Sequence, residues 1–269
     1  MVYLRKIDAL KGFGVSEKET GNEFSLHERH YRLFGYEAPS NLAPTIGVVM
    51  GTKKGYFYCS AELIQAFAEL GVRMKFLTTV NAITIHQEMK ELDALVLPDN
   101  DLDIPGEYYV DGKAGGHLSP QTDTALQCII EAQANELPIL AIGQGALLLA
   151  GSYGLKLYSS ESYIETPIHH GWEDHAIEVI PETPFHVLVG RKEIRKVNSH
   201  HAQFVAPLRV QKELLGENLP LDFYAFAIDG MPEAFGKLEK GVLGLLWNPE
   251  VMAVKGCILQ KKILKLLQP

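Results

Sequence analysis

The residues that could do chemistry gather at a few places in the chain. Pro138-Ile139-Leu140-Ala141-Ile142-Gly143-Gln144-Gly145 runs from an apolar strand pattern into a helix pattern through a sharp turn. An elbow of this layout can push a nucleophile clear of the backbone at a helix N-terminus. Its turn residue is Gly143, which has no side chain with which to attack. Further along, Gly244-Leu245-Leu246-Trp247-Asn248-Pro249-Glu250 ends a second strand pattern with a carboxamide and a carboxylate. Glu250 could orient a base, but the amide of Asn248 is no proton acceptor near neutral pH. Cys59 lies between the first strand and the first helix of the regular part of the chain, near a helix N-terminus at the carboxyl edge of a sheet. That placement lowers a thiol pKa, so Cys59 with His201 as its base is one reading and a semi-buried structural cysteine the other. The histidines His169, His170, His175, His200 and His201 could ligate zinc. Their spacing matches no compact zinc motif, and no metal or other cofactor is expected.

The elements that must position these residues alternate between strand and helix. Thr45 to Met50 is a β-branched run after Pro44, and Ser60 to Leu70 carries Leu63, Ile64, Phe67 and Leu70 at helical spacing before Gly71. Val72 to Val80 predicts a second strand, Ile85 to Leu92 a second helix, and Ala94 to Leu97 a third strand. Continuous apolar runs of this kind suit a parallel sheet covered on both faces. Asp101 to Ser119, rich in Gly, Asp and Tyr, is the longest loop. A helix from Gln121 to Asn135 follows, then the Pro138 to Ile142 strand and a helix from Gly145. Beyond Gly154 shorter segments at Ala176 to Ile180, His186 to Val189, Phe223 to Ile228 and Val242 to Trp247 predict further strands, some antiparallel. An amphipathic helix from Lys255 to Leu267 ends the pattern.

Composition narrows the function classes. The 269 residues are 46% hydrophobic and 22% charged, an ordinary globular balance for one large domain. A net charge of −8, with basic residues scattered apart from Lys261, Lys262 and Lys265, excludes a general binder of nucleic acid or anionic membranes. Cys59, Cys128 and Cys257 are too few and too irregular for a disulfide framework. No signal-peptide pattern and no 18-residue apolar run occurs, so a cytoplasmic protein is expected. Residues 1–42 do not join the alternation. They carry Arg29, His30, Tyr31, Arg32, Phe34 and Tyr36 and end in Pro39-Ser40-Asn41, a linker composition. They read as an N-terminal extension to a domain at 43–269, packing on that domain or on a partner.

Several ordered motifs resemble those of class I glutamine amidotransferase-like proteins, in the branch of the γ-glutamyl-γ-aminobutyrate hydrolases. The 138–145 elbow resembles Pro-x-x-Gly-Ile-Cys-x-Gly. Leu95-Val96-Leu97-Pro98 followed by Asp103 is similar to Leu-Leu-Leu-Pro-Gly-Gly-x-Asp, and Gly154-Leu155-Lys156-Leu157-Tyr158 to Gly-Gly-x-Leu-Tyr. Val197-Asn198-Ser199-His200-His201-Ala202-Gln203 resembles Val-Asn-Ser-x-His-His-Gln. Asp229-Gly230-Met231-Pro232-Glu233-Ala234 resembles Asp-Gly-x-x-Glu-Ala, and Trp247-Asn248-Pro249-Glu250 resembles Trp-His-Pro-Glu. The resemblance covers about residues 45–267.

It implies an α/β fold with an open, mainly parallel sheet, flavodoxin-like and three-layer α/β/α, with added antiparallel strands. It also implies a triad in which Gly143 stands at the nucleophile position, Asn248 at the base and Glu250 at the orienting carboxylate. Asp99 and Asn100 replace the oxyanion-side glycines, and an acidic side chain there should repel a developing oxyanion. The expectation is a degenerate, inactive relative that acts by binding; the alternative is a γ-glutamyl amide hydrolase with a relocated nucleophile such as Cys59. Asp99, Asn100, Gln144, Ser199 and His201 are the candidate ligand-binding residues, for an amino acid or γ-glutamyl compound. A protein partner could dock through residues 1–42, and the family resemblance allows a homodimer.

Overall fold

A computed structural model describes residues 2–5, 39–53, 56–78, 81–112, 118–159, 174–199 and 201–267. The strands are β1 (Val2–Arg5), β2 (Thr45–Val49), β3 (Gly51–Lys53), β4 (Tyr56–Cys59), β5 (Arg73–Leu77), β6 (Ala94–Leu97) and β7 (Ile139–Ile142). They continue as β8 (Leu157–Ser159), β9 (Asp174–Val179), β10 (Glu193–Asn198), β11 (Gln203–Val205), β12 (Asp222–Ala227), β13 (Pro232–Lys237) and β14 (Val242–Leu245). Nine of them form one sheet in the order β10-β9-β12-β13-β14-β7-β6-β2-β5. From β14 to β5 all neighbours are parallel, and from β10 to β14 all are antiparallel. The expected open α/β sheet with added antiparallel strands is therefore the fold.

The helices are α1 (Ala61–Leu70), α2 (Ala82–Met89), α3 (Pro120–Ala134), α4 (Gln144–Ser152), α5 (Pro184–Val189), α6 (Leu208–Leu215), α7 (Pro249–Val254) and α8 (Ile258–Leu264). Alternate residues of the central strands face opposite ways and feed two cores. Ile46, Val48, Val96, Leu140 and Leu243 pack with Leu63, Ile64 and Phe67 of α1 and with Ala253 and Ile263. Val49, Leu95, Leu97, Ile139 and Ala141 pack with Ile85 of α2, Ile129 of α3 and Leu148 of α4. This two-sided burial is why β6, β7 and β14 carry no polar side chain.

Local capping sets the helix ends. Ser60 accepts the Leu63 N–H at the start of α1, and Gly71, at φ 69°, ends it in the left-handed region. Asn81 caps α2 in the same way and starts it three residues before the expected Ile85.

Two expectations are corrected. His186 to Val189 is not a strand but the last turn of α5: Thr183 accepts the His186 N–H, Pro184 opens the helix, and Gly190 closes it at φ 70°. The helix expected over Lys255 to Leu267 begins only at Ile258, because Gly256 at φ 91° breaks the helical path after α7, and α8 then passes into a 3-10 turn at Lys265–Leu267. Within residues 1–42, β1 pairs antiparallel with β4 in a small sheet with β3. Arg29, His30, Tyr31, Arg32, Phe34 and Tyr36 lie outside the described residues. No helix among the described residues is long and apolar enough to cross a membrane.

Candidate active site

Parallel strands β6, β7 and β14 lie side by side, so the residues that follow their carboxyl ends meet at one edge of the sheet. That edge is where open α/β folds place their sites. β7 passes into α4 through Gly143, whose φ of 54° and ψ of −119° form a combination that L side chains rarely adopt. Its N–H donates to the Leu245 carbonyl at 2.8 Å, which ties the elbow to the end of β14. At Gly145 an added Cβ would overlap the Leu97 carbonyl oxygen. The first turn of α4 can thus press against the end of β6 only because this residue is glycine.

The volume in front of the elbow belongs to Asp99. A Cβ placed on Gly143 would overlap the Asp99 Cγ and Oδ1 and would sit 2.8 Å from its Cβ. Asp99 Oδ1 accepts the backbone N–H of Gln144 at 2.9 Å. Asn248 Nδ2 donates to Asp99 Oδ2 at 3.3 Å and to Glu250 Oε1 at 3.2 Å, so one amide group bridges two carboxylates. Burial pushes Glu250 up to about 7, and the nearby Asp99 charge adds to the rise; its own backbone N–H and the Asn248 amide oppose it. Glu250 is only 2% exposed. Asp99 therefore holds, with its own carboxylate, a backbone donor of the kind that stabilises an oxyanion.

A profile of the family described as peptidase C26 matches residues 46–250, from within β2 to Glu250. The chain belongs to the peptidase C26 family. Its fold is similar to a putative GMP synthase protein from Thermoplasma acidophilum, with a TM-score of 0.55 and 18% identity over 85% of this chain and 94% of that one. It is similar to the glutaminase domain of Trypanosoma brucei CTPS, solved with bound acivicin, with a TM-score of 0.54 and 13% identity over 84% of this chain and 94% of that one. A glutamine amidotransferase from Thermotoga maritima gives a TM-score of 0.50 and 16% identity over 83% and 87% of the two chains. No curated protein matches the sequence.

The fold of this C26 protein brings Asp99, Gly143, Gln144, Asn248 and Glu250 together, while the other candidate residues serve nearby structure. Asn100 is buried and donates from Nδ2 to the Val49 carbonyl at 2.9 Å, fixing the 99–101 loop to the end of β2. Gln144 Nε2 donates to the Leu102 carbonyl at 2.8 Å and closes the same loop over the elbow. Ser199 forms a β-bridge with Trp247, next to Asn248. His201 is buried, with Nδ1 3.0 Å from the Gln203 carbonyl and Nε2 3.5 Å from Glu233 Oε1. His175 Nε2 lies 3.5 Å from that same oxygen. Glu233 thus joins two of the histidines, a role that its place in the Asp229 to Ala234 motif does not reveal. His169, His170 and His200 lie outside the described residues, and among the described residues no group of three or more His, Cys, Asp or Glu could hold a metal ion.

Tyr58 is a further contributor that sequence reasoning missed. Its hydroxyl accepts the Asp101 N–H at 2.9 Å, and burial pushes its pKa up to about 12. Cys59 is fully buried in the core on the α1 side of the sheet, and desolvation pushes its thiol up to about 12. Burial thus outweighs the proximity of α1, the opposite of what a relocated nucleophile needs. Cys128 is buried with its thiol pKa also pushed up by desolvation, and Cys257 is partly exposed; all three are free. At the other end of β7 and β14 there is a cavity of about 830 Å³, whose walls include Leu137, Pro138, Tyr153, Lys237, Lys240 and Gly241.

Proposed function

We propose that this C26 protein has lost ordinary amidase chemistry at the elbow and works by binding. The observation that carries the reading is the Asp99 carboxylate lying against Gly143 while accepting the Gln144 N–H. Loss of the nucleophile from a working triad costs on the order of a millionfold in turnover, the remainder coming from oxyanion stabilisation and binding. Here a carboxylate already engages a donor suited to the oxyanion, so that remainder is reduced as well. Asn248 cannot replace an imidazole as a base, and Glu250 is left to anchor it.

The reading includes descent from the γ-glutamyl-γ-aminobutyrate hydrolase branch. Its ligand class is an amino acid or γ-glutamyl compound, or else a protein recognised through an extension formed by residues 1–42. The free, mostly buried cysteines fit a reducing, cytoplasmic setting. The test is an assay of glutamate release from glutamine and a panel of γ-glutamyl amides by the wild-type protein. No release above the uncatalysed rate is expected, and sustained turnover that scales with enzyme would overturn the reading.

A further inference from the structure

We infer that positions 99 and 143 form an either-or pair, in which Asp99 is the residue that holds the elbow closed. The volume between the two loops accepts one side chain, and Asp99 has taken it. The inference rests on the loss of the nucleophile proposed above and adds a second lock to it. A Cβ at 143 would overlap the Asp99 Cγ and Oδ1 and would also crowd its Cβ at 2.8 Å, closer than Cβ atoms normally approach another heavy atom. Shortening Asp99 to alanine therefore leaves the Cβ contact in place, and only glycine at 99 clears it.

Turning the Asp99 side chain away is not a free alternative. Its two carboxylate oxygens accept from Gln144 N and Asn248 Nδ2, and the segment that follows it is held. Asn100 is tied to Val49, Asp101 to the Tyr58 hydroxyl, and Leu102 to Gln144 Nε2. Rotation would leave the Gln144 N–H and one Asn248 N–H without these acceptors. Charge acts in the same direction as volume. A thiol introduced at 143 would face a carboxylate, which disfavours its thiolate.

Restoring a cysteine at 143 and a histidine at 248 is consequently insufficient to rebuild the nucleophile. The Asp99 side chain must be removed first.

The experiment is a double-mutant cycle of Asp99→Gly and Gly143→Cys in the full-length chain, read by melting temperature and by the rate at which iodoacetamide alkylates the introduced thiol. Gly143→Cys alone should lower the melting temperature by ~5–10 °C, as overpacking does in a domain of this size. In the Asp99→Gly background the same substitution should cost less than half of that, because the overlap with the Asp99 side chain is gone; the dihedral strain at 143 is common to both arms and drops out of the difference between them. The introduced thiol should be alkylated at least ~10-fold faster without Asp99, because the thiolate is the reacting form. Equal melting losses in the two backgrounds, or equal alkylation rates, would overturn the inference. If Asp99→Gly does not fold, Asp99→Ala replaces it in the cycle, removing the Cγ and Oδ1 overlaps and leaving only the Cβ contact: an unchanged melting loss and alkylation rate overturn the pair, and a smaller loss with faster alkylation upholds it. Glutamate release by the wild-type protein would defeat the proposed function without entering this cycle.

Discussion

At the carboxyl ends of β7 and β14 the side chains of Asp99, Asn248 and Glu250 close on one another, whereas at the amino ends of the same strands Leu137, Tyr153 and Lys237 stand around a cavity of about 830 Å³. At the first end the Asp99 side chain takes the place that a Cβ on Gly143 would need; at the second the charged groups Glu136, Glu239 and Lys240 are exposed to solvent. Catalytic geometry in an open α/β sheet belongs to the first end, because adjacent parallel strands deliver their following residues there. The difference teaches that the linked polar groups and this cavity lie at opposite ends of the same strands. Where the polar groups are buried or half-buried, their hydrogen bonds are only partly replaceable by water, so single changes should be costly. Where they are wet, changes should be almost silent.

That contrast can be attacked from its strongest side first. Asn248→Asp removes the amide bridge and puts a third carboxylate beside Asp99 and Glu250, so it should destabilise the protein by about 4 kcal/mol at pH 7.5 in chemical denaturation. A cost below about 1 kcal/mol would mean that the cluster is wetter than its burial implies. Gly145→Ala forces the first turn of α4 off the Leu97 carbonyl and should cost about 3 kcal/mol by the same measurement.

Glu250→Gln sharpens the comparison through pH. The folded pKa of about 7 lies above the ordinary 4.5, so the folded protein keeps a proton that the unfolded chain releases. This contribution is complete below pH 4.5 and is lost as the pH rises through 7. The glutamine variant does not titrate. It should therefore gain stability relative to wild type between pH 4.5 and 7, and level off above that by about 3 kcal/mol. A difference that stays flat with pH would contradict the raised value. At the amino end, Lys240→Ala should change stability by no more than about 0.5 kcal/mol. A loss several times larger would make that rim part of a built structure.

The parallel half of the sheet and the identities of Gly143 and Asn248 were readable in the sequence for one reason: both are local. An apolar run such as Ala94 to Leu97 declares a strand buried on two faces, and a glycine in an elbow declares a turn with no side chain. The four-residue run His186 to Val189 is too short to show a period, and the punctuation of Thr183, Pro184 and Gly190 is what makes it a helix. Asp99 is legible as an acidic substitution, which predicts repulsion of an oxyanion. Its occupancy of the elbow is not legible, because its partners Gln144 and Asn248 lie 45 and 149 residues away. Nor does the strand-to-helix position of Cys59 reveal its burial, since α1 covers it only once β4 is laid against β1 and β3.

The three free cysteines form a ready-made clock of internal opening. Cys257 sits in partial contact with solvent between α7 and α8, whereas Cys59 and Cys128 are sealed in the two cores on opposite sides of the sheet. In a folded molecule an alkylating reagent should count one thiol quickly and two slowly. The slow pair reports separately on each layer of the sandwich. If Cys59 and Cys128 react at one common rate, the two layers come apart together; if at two rates, one layer opens while the other still holds.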